Sequence, residues 1–117
     1  MSLVLPEEIV VERLLPTLRV ALARDLSERG LTQSAIADRL GVTQAAVSNY
    51  LSGDPDVEER FVEHERFRRA VDRIGAGFAE GSMDGYEALA ETLELVRAFE
   101  DRGPVCAVHE EEMPALQ

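Results

Sequence analysis

Apolar residues recur three and four apart along almost the whole chain, and no stretch alternates with the two-residue period of a strand. From 6 to 29 the pattern is Ile9, Val10, Leu14, Leu18, Ala21, Leu22 and Leu26, which predicts helix with one buried face. Pro16 lies inside that stretch, lacks an amide hydrogen and collides with the carbonyl four residues back. The pattern therefore predicts a break or kink, with Pro16 starting a new helix, and Gly30 closing it. Two shorter runs follow. Ala35, Ile36 and Leu40 share one side of a helix that Thr32 can cap, with Asp38 and Arg39 opposite. Val47, Tyr50 and Leu51 form the inner face of a second, capped by Thr43 and stopped by Ser52-Gly53 and Asp54-Pro55. Asp56 can then cap a long helix with the stripe Val57, Phe61, His64, Phe67, Val71, Ile74 and Phe78. Gly75 and Gly77 weaken its end and Gly81 terminates it. A last helix from Asp84 to Asp101 carries Tyr86, Leu89, Leu93, Val96 and Phe99. The predicted fold class is all-α, a compact helical bundle with a long C-terminal helical pair.

The two short helices predict a helix-turn-helix within that bundle. Ala37 sits where such helices cross most closely, Gly41 meets the positive φ of the turn, and Val42 plugs the gap below it. On the second helix Gln44, Ala45, Ser48 and Asn49 share one outward face, with Thr43 at its start. Gln and Asn can bond adenine with two hydrogen bonds, Ala can touch a thymine methyl, and Ser can serve base or phosphate. Gln33, in the first turn of the preceding helix, is placed to hold a backbone phosphate. A face that is merely solvated would normally carry Glu, Lys or Arg; this one carries no charge from Thr43 to Gly53.

The run LTQSAIADRLGVTQAAVSNYLSG resembles the phage-repressor-like (Xre-type) helix-turn-helix. With the lead-in LPEEIVVERLLPTLRVALARDLSERG it is similar to short archaeal transcriptional regulators, the resemblance covering residues 3 to 53 well and the remainder more loosely. In some longer relatives this domain precedes a thiamine-phosphate-synthase-like sensing domain, for which 117 residues leave no room, so a thiamine-responsive role is not carried over. The resemblance implies that Gln33, Thr43, Gln44, Ala45, Ser48 and Asn49 face double-stranded DNA. The domain reading is 1–55 helix-turn-helix region, 56–104 helical extension that completes the core or dimerises, and 105–117 acidic, mobile tail.

Charge complicates this picture. The formal net charge is -11, the wrong sign for a polyanion partner, and all 12 basic residues are arginine against 23 acids. A GC-rich genome replaces lysine by arginine but does not generate so many acids; an acidic, lysine-poor surface is what stays hydrated in concentrated salt, and a halophilic source is expected. In molar salt the Debye length is only about 3 Å, so distant carboxylates hardly repel DNA. With 45% hydrophobic residues the chain is folded, and its length suits one domain. Pro6, Glu7 and Glu8 interrupt the only candidate leader, no apolar run approaches membrane-spanning length, and the single cysteine cannot form an internal disulfide. A cytoplasmic protein is expected.

The remaining chemistry is sparse. Arg66, Arg68, Arg69 and Arg73, opposed locally by Asp72, form the one basic cluster; they could touch phosphate or pair with Glu58, Glu59, Glu63 and Glu65 at helical spacing. His64 shares a stripe with apolar residues and reads as packed. The seam of the 84–101 helix could close the core or join two copies; dimerisation is favoured because one helix-turn-helix covers few base pairs. Cys106 and His109 make half a metal site, and relatives of this group carry an additional C-x-x-C nearby. Here two ligands fall short of a closed zinc site, and an ordinary tail is the expectation, with no metal and no cofactor. The run from Gly75 to Gly81 lacks the strand–turn–helix context of a dinucleotide fingerprint, and no nucleophile–base pairing suggests an enzyme. The expected function is a sequence-specific DNA-binding transcriptional regulator acting as a homodimer, with no membrane partner and no identified effector. The alternative is a helical protein-interaction module that bridges transcription factors without reading bases.

Overall fold

A computed structural model describes residues 3–52, 57–101 and 103–112, and among them all regular structure is helical. The helices are α1 (Pro6–Ile9), α2 (Leu15–Glu28), α3 (Gln33–Leu40), α4 (Gln44–Leu51), α5 (Glu59–Val62), α6 (Glu65–Glu80), α7 (Gly85–Glu100) and α8 (Pro104–Glu112).

Pro16 stands in the first turn of a new α-helix, α2, as expected, although the chain does not leave helical geometry before it. Val10–Leu14 form a π-helical turn that joins α1 to α2 without leaving helical geometry, and the Leu15 amide bonds the carbonyl of Val10. The wider turn re-routes the hydrogen-bond ladder just before the residue that cannot donate, so Pro16 sits in the first turn of α2. The apolar stripe is thereby kept: Ile9, Val10, Leu14, Leu18, Leu22 and Leu26 are all buried. Gly30, at φ 96, then stops α2, and the Leu31 amide reaches back to Leu26 O at 3.1 Å.

The long helix expected after the second short one is broken. Its proposed cap, Asp56, lies outside the described residues, as do Gly53, Asp54 and Pro55. The Glu58 amide bonds the hydroxyl of Thr17, a polar side chain buried on α2, and α5 starts one residue later. At His64 the chain turns out of the helix and starts again, with the imidazole Nδ1 accepting the Arg66 amide at 3.1 Å. The turn has a tertiary cause. It lets Phe61, His64 and Phe67 all face Phe99, with ring centroids 5.6, 4.8 and 6.5 Å away. α6 runs through Gly75 and Gly77 to Glu80, and both are buried points of close approach: a Cβ on Gly75 would lie 1.8 Å from an Asp25 carboxylate oxygen, and one on Gly77 would lie 2.5 Å from Met83 Cβ.

Residues 105–112, expected as part of a mobile tail, lie in the helix α8; 113–117 lie outside the described residues. Val105 and Val108 are fully buried, and α8 packs on both α1 and α7. Its acidic end is neutralised by distant cations: Glu111 pairs with Arg60 at 2.8 Å, and Glu112 pairs with Arg13. Arg60 also meets Glu58, and hydrogen bonds from Glu111 and then Glu58 raise its pKa above the ordinary value. His109 Nε2 donates to the Val4 carbonyl at 2.6 Å, while the Cys106 thiol donates to Glu110 of the same helix at 3.9 Å. The two residues thus have separate partners, and no group of three or more His, Cys, Asp or Glu side chains that could hold a metal ion occurs among the described residues.

Asp84 caps α7 and shares a reciprocal hydrogen-bond pair with Glu87. The seam expected along α7 divides in two. Phe99 is fully buried and Val96 packs partly buried on the core, joined by Leu95, which the expected seam did not include, whereas Tyr86, Leu89 and Leu93 are 82%, 55% and 45% exposed.

Candidate nucleic-acid interface

The helix-turn-helix is built by three local devices. Thr32 and Thr43 have extended backbones and begin α3 and α4; their hydroxyls accept the amides of Ala35 at 3.1 Å and Ala46 at 3.0 Å. Gly41 lies in the left-handed region at φ 67, ψ 34, and the Val42 amide bonds Ala37 O at 3.1 Å, which closes the end of α3 and turns the chain into α4. Packing then fixes the pair. Ile36 and Val47 are fully buried and Ala37 nearly so, while Leu40, Val42, Tyr50 and Leu51 are half-buried against the same core. Behind them α2 packs on both α3 and α4.

Everything named for the outer face is outside. Thr43, Gln44, Ala45, Ser48 and Asn49 are exposed on α4, and Gln33 is exposed in the first turn of α3. Because each threonine cap takes the third amide of its helix, the amides of Gln33 and Ser34, and of Gln44 and Ala45, remain at the open N-terminal ends. Helix N-termini carry partial positive charge, so these amides supply a weak attraction for phosphate that no charged side chain on α4 supplies. Ser52 ends the face, its hydroxyl donating to Asn49 O at 3.3 Å.

Two exposed residues that precede or open α3 in the chain escaped the sequence reading. Ser34 is exposed beside Gln33 and differs from it only by one helical step. Arg29 holds the end of α2: it pairs with Asp25 at 2.7 Å and with Asp72 of α6 at 2.9 Å. The Asp25 hydrogen bond is the main cause raising its pKa. The Asp25–Arg29 spacing of four was visible in the sequence; the partner 43 residues away was not. The arginine cluster sits on α6, which packs on α2 and α7. Of the carboxylates expected to pair with it, Glu65 does so, with Arg69 at 3.4 Å, while Arg73 finds Glu91 of α7 at 2.7 Å. Arg66 and Arg68 are exposed.

Residues 20–59, from within α2 to the start of α5, match a family model described as helix-turn-helix. The match agrees with the helix-turn-helix that α3, the Gly41 turn and α4 form within that segment. No curated protein and no solved structure gives a match to the chain.

Proposed function

We propose that this chain is a sequence-specific transcriptional regulator whose α4 enters the major groove. Gln44, Ala45, Ser48 and Asn49 read base edges, while Gln33 and Thr43 position neighbouring phosphates. One observation carries this reading: the exposed face of α4 combines amide, hydroxyl and methyl groups with no charge, on a helix held outward by a left-handed turn and a threonine cap. The acid-rich, lysine-free composition supports a source that works in concentrated salt, where the net charge of -11 is screened within a few ångströms, about 3 Å at 1 M. Short archaeal regulators of halophiles are the group this proposal points to. Two copies act together, joined through the exposed Tyr86, Leu89 and Leu93 of α7, because a single short recognition helix reads too few base pairs for useful affinity.

The test is selection of bound sequences from a random duplex pool in multimolar KCl. Enrichment of a two-fold symmetric site is expected. Gln44→Ala should relax selectivity at one position per half-site and cost about 1–3 kcal/mol there. A folded protein that enriches no sequence, or enriches the same site with or without Gln44, would overturn the assignment. Selective capture of basic proteins alongside that failure would favour the bridging module.

A further inference from the structure

A groove of about 410 Å3 runs between the helix-turn-helix and the helices behind it. The buried side chains of Leu18, Leu22, Ile74 and Phe78 make its floor, and Ala88 and Leu89 of α7 stand on one side. The opposite wall is the end of α3 and the Gly41 turn. Two exposed guanidinium groups line it, Arg19 from α2 and Arg39 from α3, against the single carboxylate of Asp38. In a chain of net charge -11 this local excess of cations is conspicuous. Arg39 is steadied by its Nε bond to Phe78 O at 3.4 Å and by Asp38 at 3.5 Å on Nη1, which leaves its Nη2 edge uncommitted. Arg19 makes no ion pair among the described residues.

We propose that this groove binds a small apolar organic acid, its hydrocarbon body on the floor and its carboxylate between Arg19 and Arg39. The arrangement has the parts of a small-molecule site: a concave apolar surface and few polar groups, with two cations against one anion. Its volume lies near the low end of the usual range of about 300–1,000 Å3, which suits a body of one or two rings rather than a docked helix. Guanidinium groups bond carboxylates at two points, and such contact pairs survive salt that screens longer-range attraction. An occupant would touch the Gly41 turn and α7 together. Leu89 borders both this groove and the exposed stripe of α7, so the two surfaces are neighbours with different chemistry. The assignment stands independently of the DNA reading.

Calorimetric and amide-shift titration of the full chain with 2-naphthylacetate, and with its uncharged amide 2-naphthylacetamide, tests it. Saturable binding of one molecule per chain is expected, with shifts centred on Leu18, Ile74, Phe78 and Gly41. The amide should bind about tenfold more weakly. Arg19→Ala should remove most of that difference while leaving the amide's affinity unchanged. Ala88→Trp, which fills the groove from its half-buried place on the α7 wall, should abolish binding of both with an unaltered circular dichroism spectrum. Equal affinity for acid and amide, shifts centred on Tyr86 and Leu93, or insensitivity to Ala88→Trp would overturn the proposal. So would a groove closed by a second copy, seen as ligand binding only after the dimer is dissociated.

Discussion

Gly41 and Gly103 are needed for opposite reasons. At Gly41 the space beside the backbone is empty and the φ of 67 is the constraint; an alanine there is strained although it meets nothing. At Gly103 an added Cβ would lie 2.6 Å from Ala98 O and 2.7 Å from Phe99 Cα, so α8 could not keep its approach to α7. Gly41→Ala should cost about 1–2 kcal/mol, the penalty of one residue in the left-handed region. Gly103→Ala should cost about 1–3 kcal/mol as overpacking against backbone, and should also loosen α8. Urea titration gives both values; amide exchange at Val105 and Val108 separates them, since Gly41→Ala should leave those amides as protected as the rest of the core. Thr43 adds a third case. Its hydroxyl holds the start of α4, so Thr43→Ala should lower stability by about 1 kcal/mol and Thr43→Ser should restore it, as read by thermal unfolding.

Among the elements, α7 separates core from surface along one helix. Leu95→Ala removes a buried side chain and should destabilise by about 2–5 kcal/mol, whereas Leu93→Gln, on the exposed half, should leave unfolding within about 0.5 kcal/mol in the monomer. If the stripe joins two copies, sedimentation at equilibrium should show Leu93→Gln shifted toward monomer while Leu95→Ala keeps its association wherever it is folded. Elements whose ends depend on local chemistry were legible in the sequence. Thr32, Thr43, Gly30, Gly41 and Gly81 mark caps and left-handed turns, where backbone geometry restricts residue type whatever packs nearby. The exposed face of α4 was legible for the same reason, since a start at Thr43 fixes which side chains point outward. What failed was decided at a distance. The restart at His64 answers Phe99, and α8 depends on Val105 and Val108 fitting the core while Arg13 and Arg60 answer its glutamates. Pro16 marked the start of α2, but not the π-helical turn before it, by which the ladder widens by one residue instead of ending.

For the whole molecule, charge and surface chemistry point to an unusual salt response. A reader helix without cations displaces few counterions, so the slope of log affinity against log salt should have a magnitude below about 3, far from the 6–10 contacts of a phosphate-dominated binder. Fluorescence anisotropy with a selected duplex across KCl concentrations measures it; a steep loss of affinity would place arginines outside α4, Arg66 and Arg68 first, against the backbone. Raising salt should also raise the unfolding temperature, because it screens repulsion among the 23 acids. The bond between Val4 and His109 has a consequence for how the molecule is made. Those residues are 105 positions apart, whereas the turn at Gly41 and both threonine caps join residues within five of one another. During synthesis α3 and α4 can therefore assemble while α1 still lacks its contact with α8, which forms only once α8 has emerged from the ribosome. The helix-turn-helix is thus ready early, and α1 is among the last helices to be secured.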